Sequence, residues 1–267
     1  MSSSSNNNDN SDEETQWQLC HLDRSLVQVP VVPVVTLIDG RIEEWSGPTQ
    51  TVTSPLIDPE TGKRTHLGEL PALRPEDSLR ALEAAERAWD SGKGAWPLAE
   101  PQVRANSVWR FAQELKKVQG EVAHLLSLEI AKTEADALAE VKRTIAYIED
   151  TVLEYAKLQN GSQVGSDAGI IHQIRRQPLG VCMVSGPMNY PQNESLTLVI
   201  PALIVGNTAI LKLPRFGALS HVPLFPAWNA CFPPGVINMI SGSGRETMPP
   251  ILGMFAEIFF LPWPILM

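Results

Sequence analysis

Residues 178–214 read PLGVCMVSGPMNYPQNESLTLVIPALIVGNTAILKLP, and the texture of this stretch decides the fold class. Val181–Ser185 and Thr208–Leu213 are short apolar runs separated by a helix-length segment at about 192–205. A third run, Val236–Ser241, follows a second helix-length segment at about 219–231. Strands alternating with helices at this spacing imply a parallel sheet, because parallel neighbours need a crossover connection. Parallel strands are covered on both faces and tolerate few charges. The charge distribution agrees: residues 181–267 carry only Lys212, Arg215, Arg245, Glu194, Glu246 and Glu257, six charges in 87 residues against 45 in the 180 before them. The expected fold class is α/β, a helical layer added to a parallel sheet.

Working outward, the segment VPVVPVVTLIDGRIEEW (29–45) alternates about the turn pair Asp39-Gly40 and predicts a hairpin. Gln50–Ile57 predicts a further strand before the turn DPETGKR. Pro75-Glu76-Asp77 makes an acidic, proline-led helix start, and Leu79, Leu82, Ala85 and Trp89 form one apolar face ending near Gly92. The same period predicts a helix over 100–117 and a longer one over about 133–159. These stripes read as core packing. The polar stretch NGSQVGSDAG (160–169) predicts a loop, and Ile170–Arg176 a strand or hairpin arm.

The 267 residues are ample for a large core. A formal charge of −9 argues against a nucleic-acid coat or a polybasic membrane binder. Cys20, Cys182 and Cys231 are too few and too scattered for a disulfide framework, and no metal site is expected. Residues 1–25, rich in Ser, Asn and acid with no basic or apolar leader, predict a disordered tail and a cytoplasmic protein. The apolar end Ile251–Met267 holds Glu257, Pro262 and Pro264, too broken for a spanning helix. No membrane association is expected.

Ligands of open parallel sheets bind beyond the carboxyl ends of strands. Three loops qualify: GPMNYPQNE (186–194), PRFG (214–217) and GSGRET (242–247). Each alone is ordinary turn chemistry; together at corresponding strand ends they favour a cleft. Gly242-Ser243-Gly244 opening a helix offers N–H groups to a phosphate, although the third glycine of the dinucleotide fingerprint is missing. Lys212 and Arg215 read either as a solvated pair or as an anion or ribose site. The Asn189 amide can donate to a developing oxyanion, or simply serve the turn before Tyr190-Pro191.

The ordered blocks 175–214 and FPPGVINMISGSG (232–244) resemble the aldehyde dehydrogenase superfamily. NYPQNE and GRET most resemble its NADP-dependent, non-phosphorylating glyceraldehyde-3-phosphate dehydrogenases, and EIAKTEADALAEVKRT (129–144) fits less strongly. The resemblance implies a Rossmann-like nucleotide-binding domain over residues 26–253, incomplete, with a divergent apolar tail at 254–267. It implies Asn189 as the oxyanion amide, and Lys212 on the adenosine ribose hydroxyls. Arg215 stands where NAD-preferring relatives carry an acid, which favours NADP over NAD. Gly242 and Gly244 would face the pyrophosphate, with Leu213 in place of the usual proline. Arg143 and Tyr190 match positions that hold the substrate 3-phosphate; otherwise they read as an exposed helix charge and a packed ring.

The family mechanism uses a cysteine nucleophile and a glutamate base. Cys20 lies in the polar tail, Cys182 in a core strand and Cys231 in a helix-to-strand connection, and Glu194 stands beside the oxyanion loop rather than at the base position. The expectation is therefore an oxidoreductase lineage, converting glyceraldehyde 3-phosphate or another small aldehyde to the carboxylate, in a chain without the catalytic Cys and Glu and without turnover of its own. The family is homo-oligomeric, and the oligomerisation strand is expected to be missing here. The alternative is a non-catalytic nucleotide-binding or partner-binding fragment.

Overall fold

In the computed structural model, residues 29–57, 61–160, 163–174, 177–253 and 259–261 are described. The sheet expected from the apolar runs is present. Strands β7 (Val181–Ser185), β8 (Thr208–Lys212) and β9 (Ile237–Ile240) lie side by side in parallel. A short strand β10 (Phe259–Leu261) joins parallel to β7 on its other side, giving the order β10-β7-β8-β9. Residues 259–261 of the tail read as divergent thus add a strand to this sheet. The tail expected at 1–25 lies outside the described residues.

Alternation within each strand sends side chains to two separate cores. Val181, Met183, Ile210 and Ile240 pack with Ala81, Leu82 and Ala85 of helix α1 (Pro75–Trp89) and Ile251 of helix α6 (Gly244–Gly253). Val184, Ala209, Leu211 and Met239 pack on the other face, in the core shared by helices α2 (Pro101–Ile130), α3 (Glu134–Asn160) and α4 (Pro191–Ile204). Burial on both faces is why the strands contain no charge except Lys212 at an end.

Three smaller antiparallel pairs complete the described elements: β1 (Val35–Ile38) with β2 (Arg41–Glu44), β3 (Thr49–Ile57) with β4 (Arg64–Pro71), and β5 (Gln163–Asp167) with β6 (Ile170–Ile174). The first turns at Asp39-Gly40 as expected, both residues taking positive φ. Strand β4 and strand β5 depart from expectation. Within the polar run, Gln163–Asp167 forms one arm of a hairpin because the turn falls at Ala168-Gly169, both in the left-handed region. Helix α2 continues to Ile130 rather than stopping near 117, since Gly120 sits on its exposed side, where it interrupts no packing. The helix expected over 219–231 divides into a 3-10 turn, Leu219–Leu224, and helix α5 (Phe225–Cys231), with Pro223 and Pro226 set in the two pieces.

Helix α4 is held at both ends and repaired in the middle. Pro201 cannot donate to the Thr197 carbonyl, and the Tyr147 hydroxyl of α3 donates to that oxygen instead at 3.2 Å. At its C-terminus the indole N–H of Trp96 reaches the Leu203 carbonyl at 3.1 Å and Arg104 Nε the Ile204 carbonyl at 2.9 Å. Its buried face, Leu196, Val199, Ile200 and Leu203, contributes about 1.5–3 kcal/mol per side chain.

Candidate functional site

The strand ends are level. Ser185 pairs with Lys212 and Lys212 with Ile240, so the three loops that follow emerge along one edge of the sheet. Two buried glutamates from the helical layer tie the first two loops down. Glu129, near the end of α2, accepts the N–H groups of Ala218 and Leu219, each at 3.0 Å. Glu140, on α3, accepts those of Gln192 and Asn193 at 3.0 and 3.1 Å, capping the first turn of α4. The loops also meet each other at Gly217. Its φ is +84°, and a Cβ there would stand 2.3 Å from Pro191 Cγ, so no other residue fits without movement.

The electrostatics of the two carboxylates differ. Glu140 is paired with the Lys132 ammonium, whereas no salt bridge accompanies Glu129 among the described residues. Burial accordingly pushes the Glu129 carboxyl up to about 7, against the backbone N–H groups that hold it down.

Asn189, Tyr190 and Arg143 come together at the start of α4. Tyr190 is partly exposed, and two cations approach its ring: Lys132 Nζ at 3.8 Å from the centroid and Arg143 Cζ at 5.1 Å. The charge of Lys132 is matched by Glu140, but Arg143 has no carboxylate partner among the described residues. Beside them opens a cavity of about 450 Å³, walled by Asn189, Lys132, Glu129, Met188 and Phe216 and reaching Arg64 and Thr53. The exposed Asn189 therefore stands at the rim of an apolar pocket with an uncompensated guanidinium close to the next residue.

The second group gathers at β8 and β9. Lys212 is not a solvated side chain. It is 7% exposed, and its ammonium donates to the Leu213 carbonyl at 2.7 Å with no acid paired to it among the described residues. Burial lowers its pKa to about 8. Arg215, three residues on, is exposed and lies over the Phe216 ring. Gly242 takes φ +91°, and an added Cβ would meet the Leu73 nitrogen at 2.9 Å, so the loop after β9 passes tightly over residues 71–73. Ser241 Oγ fastens it to the Pro71 carbonyl at 2.6 Å. Helix α6 begins at Gly244; the Ser243 carbonyl takes the N–H groups of Glu246 and Thr247, leaving those of Gly244 and Arg245 outside the helical ladder.

Neither described thiol faces a cleft. Cys182 is interior to β7, where burial pushes it up to about 11. Cys231 ends α5 rather than lying in a connection, and is also buried and raised. The sequence alone gives Lys132, Glu129 and Glu140 no role: they lie in the EIAKTEADALAE run, but a helix ending near 117 leaves Glu129 and Lys132 unplaced.

Comparison with known proteins fits this geometry. A model described as the aldehyde dehydrogenase family matches residues 45–254. A malonate-semialdehyde dehydrogenase of Bacillus cytotoxicus is 33% identical over 213 residues, 78% of this chain and 42% of its own. An NADP-dependent glyceraldehyde-3-phosphate dehydrogenase of Streptococcus equinus is 34% identical over 192 residues, 70% of this chain and 39% of its own. Among solved structures, an NADP-dependent glyceraldehyde-3-phosphate dehydrogenase from Bacillus halodurans complexed with NADP superposes with a TM-score of 0.70 at 27% identity, over 83% of this chain and 46% of that one. The chain thus spans less than half the length of these relatives.

Proposed function

This chain belongs to the aldehyde dehydrogenase family, and from that premise we propose that it carries the nucleotide and substrate-anion sites of an oxidoreductase that converts glyceraldehyde 3-phosphate to the carboxylate with NADP. The observation that carries the substrate reading is the Arg143 guanidinium beside Tyr190, without a carboxylate partner among the described residues, next to the cavity rimmed by Asn189. An unmatched guanidinium with a phenol next to it suits a phosphate monoester, which accepts from both. Asn189 donates its amide to the aldehyde oxygen and stabilises the negative charge that develops there.

The donor set at the strand ends fits a phosphorylated dinucleotide. Among the described residues Lys212 has one acceptor for three N–H bonds, which leaves donors for ribose hydroxyls. Arg215 is free in solvent to meet a 2′-phosphate, which favours NADP over NAD. Gly242 and the first N–H groups of α6 supply the pyrophosphate contact. The cofactor, when bound, supplies the hydride acceptor.

A second reading is favoured by the thiols. Cys182 and Cys231 are buried and held protonated, so neither offers a thiolate. These 267 residues by themselves then bind nucleotide without turning aldehyde over. Titrating NADP in a thermal melt tests the common ground: Tm should rise with NADP, and Arg215→Glu should cut the apparent affinity about tenfold or more while leaving the ligand-free Tm unchanged. No shift at millimolar NADP would sink the cofactor assignment. NADP reduction by this chain with glyceraldehyde 3-phosphate would overturn the non-catalytic reading.

A further inference from the structure

The ion pair Lys132–Glu140 lies outside the roles assigned so far, yet it touches the candidate substrate site on two sides. One Glu140 oxygen is occupied by the N–H groups of Gln192 and Asn193, and the other by the Lys132 ammonium. That carboxylate is 1% exposed. The same ammonium rests on the Tyr190 ring at 3.8 Å from its centroid. Tyr190 immediately precedes α4 and immediately follows Asn189. The pair therefore links three things: the capped start of α4, the orientation of the Tyr190 ring, and the turn that carries the Asn189 amide.

The backbone around Lys132 is itself constrained. Ala131 takes φ +54° to end α2, and Ser127 Oγ donates to the Lys132 carbonyl at 2.8 Å, so the ammonium approaches from a fixed anchor. On α3, the Thr144 hydroxyl lies 2.9 Å from the Glu140 carbonyl oxygen and 3.3 Å from Asn193 Oδ1, sharing its one proton between them and joining α3 to the same turn. Tyr190 has no other ring partner among the described aromatic and cation contacts than Lys132 and Arg143.

We propose that Lys132 is a positioning residue. Clamped on Glu140, it packs against Tyr190 and holds the Asn189–Tyr190 turn so that the Asn189 amide and the Tyr190–Arg143 pair address one substrate. This rests on the reading of Arg143 and Tyr190 as the anion subsite. Lys132 is not itself an anion donor, because its charge is spent on Glu140. Arg143 supplies the attraction and Lys132 the geometry.

Lys132→Met alone would strand a buried carboxylate and could unfold the chain. The informative variant is Lys132→Met with Glu140→Gln, which removes both charges while the Gln oxygen still accepts from the first turn of α4. Lys132→Gln is a second route, since its amide still donates to Glu140 but places no charge on the ring. Calorimetric titration with 3-phosphoglycerate, and separately with inorganic phosphate, reads the subsite; the NADP-induced rise in Tm reads the proposed nucleotide site, whose Lys212 and Arg215 neither variant alters. The expected result is a fivefold or greater loss of 3-phosphoglycerate affinity in either folded variant, an unchanged NADP response, and recovery in Lys132→Arg. Wild-type affinity for 3-phosphoglycerate in a variant with wild-type Tm would overturn the positioning role. A wild-type chain that responds to NADP but binds neither 3-phosphoglycerate nor phosphate would instead overturn the anion-subsite reading, and the role of Lys132 with it.

Discussion

Lys212 shows at the scale of one residue what a buried ammonium without a counter-charge among the described residues costs in stability. Its ammonium is buried against a single carbonyl, and desolvation lowers its pKa from 10.5 to about 8. The folded state therefore disfavours the charged form that the unfolded chain keeps. The cost is complete below about pH 8 and fades as pH rises toward 10.5. Lys212→Met should stabilise the ligand-free chain at pH 7 by on the order of 2 kcal/mol, with the gain vanishing near pH 10.5. The same variant should lose most of its NADP-induced rise in Tm. Denaturant titrations at pH 7 and pH 10 check the first part. A destabilised variant at pH 7 would contradict the account of the buried charge.

At the scale of elements, the helical layer fixes the loops of the sheet through carboxylates that accept backbone N–H groups. Glu140 does so with a cation beside it, and Glu129 without one. The difference is a titration. With its folded pKa raised from 4.5 to about 7, Glu129 lends stability that is full below pH 4.5 and lost as pH rises through 7. The buried His221 behaves in the opposite sense. Burial lowers it to about 4, so its contribution is lost as pH falls below 6.5. Comparing wild type with Glu129→Gln cancels the histidine, which both share. The wild type should lose about 2–3 kcal/mol relative to the variant between pH 4.5 and 7.5, read from urea midpoints across that range. A pH-independent difference would mean that the N–H groups of Ala218 and Leu219 outweigh desolvation.

Across the whole molecule, an aromatic cluster joins the helical layer to the sheet. Phe111 of α2 stacks on Trp228 of α5 with centroids 3.7 Å apart, and Phe232, just before β9, packs on Trp228 at 5.3 Å and Trp96 at 5.4 Å. Trp228→Ala should cost about 3–5 kcal/mol, and near- and far-ultraviolet dichroism should melt together because the layers share this core. Trp228→Phe should cost far less, since the indole N–H has no partner to lose among the described residues. Separate transitions would show that the layers fold independently. The parallel sheet was legible in the sequence because apolar runs at crossover spacing have few other solutions, and the loops at its edge because strand ends are marked by Gly, Pro and Asn. Asn189, Tyr190, Lys212 and Arg215 could be singled out for the same reason: polar groups stand out in a stretch with six charges in 87 residues. Sequence also determined the family through ordered motifs. Pairing was decided only by the tertiary structure. Glu129 lies 89 residues from Ala218, and Glu140 lies 52 from Gln192, so no local pattern joins them. Nor could charge counts show that Lys212 is buried while Arg215, three residues away, is exposed. Periodicity reports which face of an element is apolar; which polar group meets which across a core depends on how the layers stack, and that is settled only when the chain closes.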